Sequence, residues 1–86
     1  MPEDQAMPQK SLLLVDDEPL IRESLARELA GATLAVTVAA SGEEAVARLG
    51  REWFDVVVSD LVMPGLDGFQ VLKAAKRKER AIAVIL

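Results

Sequence analysis

The sequence predicts an α/β fold: an open, doubly wound parallel sheet with helices on both faces. Three observations predict it. Four short apolar runs (SLLLV, LAVTVA, FDVVVS and IAVIL) alternate with three stretches of helical periodicity. The runs are nearly continuous in apolar character, as strands covered on both faces are. Two of them end abruptly in aspartate, and in such sheets the functional crevice lies beyond the carboxyl ends of the strands.

The elements follow in order. Residues 1–10 are polar, hold two prolines and are expected to form a flexible tail. Ser11 to Val15 is the first strand. A helix starts at Pro19, whose missing N–H is harmless in a first turn, with Asp17 or Glu18 adding negative charge there. Ile21, Leu25 and Leu29 recur at the helical period and are expected to face the core; Gly31 is the expected stop. Leu34 to Ala39 is the second strand. Ser41 and Glu44 have the spacing of a capping box, opening a helix to about Arg51 with Ala45, Val46 and Leu49 inward. Phe54 to Ser59 is the third strand and delivers Asp60. Leu61 to Leu66 is a loop containing a Pro-Gly pair. Asp67 is placed to cap a third helix over Gly68 to Lys78, and Ile82 to Leu86 is the fourth strand. Trp53, Phe54 and Phe69 are the only aromatic residues and are expected in core or half-buried packing.

Bulk properties narrow the function. A chain of 86 residues holds one domain at most. With no cysteine and no histidine, thiolate metal sites and imidazole chemistry are excluded. The net charge of −4 argues against a nucleic-acid surface, and the one basic cluster, Lys73 to Arg80, reads as a solvated helix face. No apolar run is long enough to span a bilayer, and a cytoplasmic location is expected.

The chemistry concentrates in Asp16, Asp17 and Asp60. If the first and third strands are neighbours, three carboxylates converge at one end of the sheet, where they repel one another. Clustered carboxylates without His or Cys suit Mg²⁺. A carboxylate beside Mg²⁺ is also a nucleophile towards phosphorus. In that arrangement Asp60 attacks, Asp17 and Asp16 serve the metal and the Val62 carbonyl completes the coordination. The residues alone leave open a plainer reading, in which these are ordinary strand-end and helix-cap aspartates.

The pattern Leu13-Leu-Val-Asp16-Asp17-Glu18, followed by Val56-Val-Val-Ser-Asp60-Leu-Val-Met63-Pro64-Gly-Leu-Asp67-Gly68, resembles the receiver domain of bacterial response regulators. The resemblance covers about residues 11–86. It implies a flavodoxin-like sheet of order 2-1-3-4. It implies that Asp60 accepts a phosphoryl group from a histidine kinase or phosphotransfer protein. Mg²⁺ would be held by Asp16, Asp17, Asp60 and the Val62 carbonyl. The domain is then a signalling module of a regulator, such as one of transcription, and not a turnover enzyme.

Two elements of the family pattern are absent: a Ser or Thr ending the fourth strand and a Lys ending the fifth. The fifth strand and the last two helices are also absent, so the chain corresponds to roughly two-thirds of a receiver. It is expected to be a fragment of a longer regulator, with a naturally short chain that pairs with a second copy as the alternative. Cutting after the fourth strand exposes an apolar flank, so self-association is expected. Two other functions remain. One is a pseudo-receiver or interaction module that never takes phosphate. The other is an aspartate-nucleophile phosphatase of the haloacid-dehalogenase type, which wants a second Asp where Val62 stands.

Overall fold

The computed structural model describes residues 9–86. Lys10–Val15 forms β1, so the first strand starts one residue earlier than expected; most of the expected tail lies outside the described residues. The other elements are α1 (Pro19–Leu29), β2 (Leu34–Ala39), α2 (Gly42–Arg51), β3 (Val56–Ser59), α3 (Gly68–Lys78) and β4 (Ala83–Ile85). The four strands form one parallel sheet in the order β2-β1-β3-β4.

Register explains the sheet's two faces. Leu13 and Val15 of β1 lie beside Val57 and Ser59 of β3. On that side α2 and α3 pack with Ala45, Leu49, Val71 and Ala75 against Leu13, Val15, Val57 and Phe54, all of them buried. Burying a side chain of that size fully stabilises by about 1.5–3 kcal/mol, so this layer holds most of the fold's stability. Leu12 and Leu14 alternate to the other face, where α1 packs against β1 and β2.

α1 departs from the expected pattern. Ile21 is 50% exposed and Leu25 38%; Leu29 is half-buried, and no residue of the helix is buried. The reason is geometric. Among the described residues α1 stands alone on its face, with no helix beside it to close over its apolar stripe. Gly31 does not act as a left-handed stop. α1 ends with Ala30 in extended backbone, and among the described residues only Gly65 has positive φ.

Smaller differences have local causes. β3 begins at Val56 instead of Phe54. Phe54 is buried outside the ladder, and Asp55 turns both its main chain and its carboxylate to Ser11. β4 is shorter than expected, since Ile82 is buried just before it and Leu86 lies just beyond. Trp53 and Phe69 are more than half exposed; of the three aromatics only Phe54 joins the core.

The caps were legible from spacing. Ser41 Oγ accepts from Glu44 N at 3.0 Å, but Glu44 reaches back to Ala40 N and not to Ser41. Asp67 and Gln70 form a complete reciprocal capping box at α3. At the far end of the sheet, Asp55 Oδ2 accepts from Ser11 N at 2.8 Å and Oδ1 from Trp53 Nε1 at 3.1 Å. The Ser11 N–H above all, then the indole N–H, holds the Asp55 carboxyl below the usual carboxylate range.

Candidate functional site

The ends of β1 and β3 place the acidic residues. Asp16 N donates to Ala39 O of β2 at 3.2 Å, and Asp60 N donates to Val15 O of β1 at 2.8 Å. Both aspartates therefore leave the sheet from hydrogen-bonded positions, side by side. Asp17 follows Asp16 into the turn before α1. One carboxylate oxygen from each of Asp16, Asp17 and Asp60 lies within 4.8 Å of the others. Two unit charges at that separation repel by about 1 kcal/mol even in water.

The three differ in exposure. Asp16 is buried, with Oδ1 accepting Glu18 N at 2.9 Å, which leaves its second oxygen uncommitted. Asp17 is exposed and Asp60 is reachable from solvent. Among the described residues the ion pairs run along α2, from Arg48 to Glu44 and Glu52, and none neutralises the aspartates. Arg22 comes near, but its Nη1 donates to the main-chain oxygen of Asp16 at 2.9 Å. Two lysines of α3 are turned elsewhere. Lys78 donates to the main-chain oxygens of Leu49 and Glu52, and Lys76 to those of Arg80 and Ile82.

An uncompensated set of oxygen donors open to solvent fits a hard divalent cation that keeps some of its waters. Val62 lies in the loop after Asp60, its side chain 78% exposed. Its peptide sits between two anchors. Leu61 O accepts from Gly68 N at 3.0 Å, and the Met63 side chain is buried. Gly68 allows this closure, because a Cβ there would lie 2.6 Å from Asp60 O. Sequence reasoning thus brought Asp16, Asp17 and Asp60 together correctly. It missed Arg22 as a support of the Asp16 turn; on a helical wheel that residue reads as one more solvated charge.

Residues 12–86 match the family model for the response regulator receiver domain. The chain belongs to the response-regulator receiver family. It is 40% identical over 81 residues to the transcriptional activator protein PfeR of Pseudomonas aeruginosa, covering 94% of this chain and 26% of that protein. It is 42% identical over 73 residues to the DNA-binding transcriptional regulator NtrC of Salmonella typhimurium, covering 85% of this chain and 16% of that one. The receiver thus spans about a quarter or less of these relatives' lengths. Among solved structures it is similar to the response regulator protein TrrA of Thermotoga maritima, crystallised in complex with Mg(2+)-BeF. The TM-score is 0.84 and the identity 37%, covering 91% of this chain and 68% of that one. The chemotaxis protein CheY4 of Vibrio cholerae gives a TM-score of 0.81 at 33% identity, covering 90% and 66%. The flavodoxin-like order 2-1-3-4 is therefore the receiver fold.

Proposed function

We propose that this receiver takes a phosphoryl group onto Asp60 from the phosphohistidine of a histidine kinase or phosphotransfer protein, with Mg²⁺ at the acidic cluster. The observation that carries the reading is the convergence of three carboxylates within 4.8 Å without a cationic partner among the described residues. Asp16, Asp17, Asp60 and the Val62 carbonyl would hold the ion. Bound there, it would neutralise charge on the phosphoryl oxygens. The similar TrrA structure, a complex with Mg(2+)-BeF, supports the choice of metal.

The chain's own residues do the rest. An Asp60 carboxylate oxygen forms a bond to phosphorus in line with the donor. The P–N bond to the donor imidazole breaks, and its electron pair stays on that nitrogen, which then takes a proton. The β1–β3 hydrogen bonds hold Asp60 in place, so little orientational freedom is lost during attack. A phosphatase of the haloacid-dehalogenase type is disfavoured, since Val62 offers no carboxylate two positions after Asp60.

Since PfeR and NtrC are named as transcription regulators, control of transcription is the output we propose for this receiver. A cytoplasmic setting goes with that reading; no helix among the described residues is long and apolar enough to cross a membrane. Ile85, the last residue of β4, and Leu86 after it expose apolar surface, and self-association of the 86-residue chain through it belongs to the same proposal. The test is phosphorylation with acetyl phosphate: wild type labels only with Mg²⁺, Asp60→Asn does not label, and Asp17→Asn needs far more metal. Equal labelling of all three overturns the reading.

A further inference from the structure

The loop after Asp60 is held at its near end by Gly68 and Met63, and at its far end by a residue from another helix. Glu43, in the first turn of α2, accepts the Leu66 N–H through Oε2 at 3.2 Å, across 23 positions of sequence. Its neighbour Glu44 turns back onto Ala40 N instead. Two glycines make room for the reach. A Cβ on Gly42 would lie 2.2 Å from Leu66 O, so the start of α2 sits directly against the loop's main chain. Gly65 has φ of +75°, and a Cβ there would lie 2.3 Å from Glu43 Oε2, so the carboxylate lies against the Pro64–Gly65 turn.

We infer that Glu43 is a positioning residue for the metal and phosphoryl site, acting through the loop that carries the Val62 carbonyl. The inference rests on the function proposed above. Without the Glu43 carboxylate the Leu66 N–H loses its partner on α2, and the Val62 peptide is held by the Leu61 and Met63 anchors alone, with the Pro64–Leu66 end of the loop loosened beyond them. Glu43 is exposed and outside the core, so its loss loosens the loop without undoing the fold. A glutamine still offers an oxygen to Leu66 N, whereas an alanine does not.

The test compares the wild-type protein with Glu43→Ala and Glu43→Gln by Mg²⁺ titration calorimetry, amide exchange at Leu66 and thermal melting. Expected for Glu43→Ala are faster exchange at Leu66, an unchanged melt and a Mg²⁺ dissociation constant raised about three- to tenfold, the range for losing one hydrogen bond. Glu43→Gln should stay within about twofold of wild type, because its hydrogen bond is kept. Unchanged exchange and affinity in Glu43→Ala overturn the inference. So does a Glu43→Gln as weak as Glu43→Ala, which would make bulk charge the cause. A wild type that binds no Mg²⁺ overturns the proposed function and the positioning role with it, while the Leu66 exchange data still report separately on whether the clamp exists.

Discussion

Asp60 N donates to Val15 O at 2.8 Å, so a hydrogen bond between the ends of β1 and β3 ties one carboxylate of the acidic cluster to the residue just before another. The geometry that brings Asp60 beside Asp16 is therefore main-chain geometry, and it survives a change of side chain. Asp60→Asn should keep the fold and abolish phosphorylation. Relief of repulsion should also raise stability without metal by about 1 kcal/mol. Melting with and without Mg²⁺ checks this; a destabilised Asp60→Asn would contradict it.

Metal binding should stabilise the folded chain by linkage. With free Mg²⁺ at ten times its dissociation constant the gain is about 1.4 kcal/mol. Asp17 lies in the same cluster, so Asp17→Asn should not lower the metal-free melt while removing most of that gain.

Val62 sits two positions after Asp60 with an exposed apolar side chain that cannot orient an attacking water. Val62→Asn should shorten the phosphoryl half-life several-fold; a tenfold change corresponds to about 1.4 kcal/mol of barrier. Following loss of the label over time decides it, and an unchanged half-life refutes this role for the side chain.

At the opposite end of the sheet, Asp55 ties Ser11 to Trp53. Its folded pKa is lowered, chiefly by the Ser11 N–H. The stability it contributes is thus complete above about pH 4, the unfolded value, and is lost as pH falls through the lower folded value. Asp55→Asn should melt lower than wild type at pH 7, with the gap closing in acid. A gap independent of pH would show that charge plays no part.

The two helical layers should respond unequally to truncation in the 86-residue chain. Leu49→Ala empties a buried position between α2 and the sheet and should cost about 2–4 kcal/mol. Leu25→Ala on α1 removes a side chain already partly in solvent and should cost about 1 kcal/mol or less. Urea denaturation of both variants measures the difference.

Much of this was written in local patterns. Apolar runs ending at Asp16 and Asp60 gave strands and site together, because a strand buried on both faces must be apolar and its last residue is fixed by where the run stops. The Asp67 cap was legible for a similar reason, since capping acts over three residues. What stayed hidden depends on distant partners. The periodicity of Ile21, Leu25 and Leu29 marks an apolar face but cannot say whether anything covers it. Glu43 and Glu44 look alike in sequence, yet one bonds within its own turn and the other crosses to Leu66. Phe69 follows a cap and a buried glycine, yet it lies on the exposed side of α3.

In the proposed function Asp60 carries the phosphoryl group at a Mg²⁺ site built with Asp16 and Asp17. Treating the purified protein with acetyl phosphate and Mg²⁺, then reducing with borohydride and sequencing the peptides by mass spectrometry, marks the phosphorylated aspartate directly. The expected result is a single mark at Asp60 that disappears when Mg²⁺ is chelated. A mark on Asp16 or Asp17 would contradict it, as would labelling indifferent to metal or no label at all.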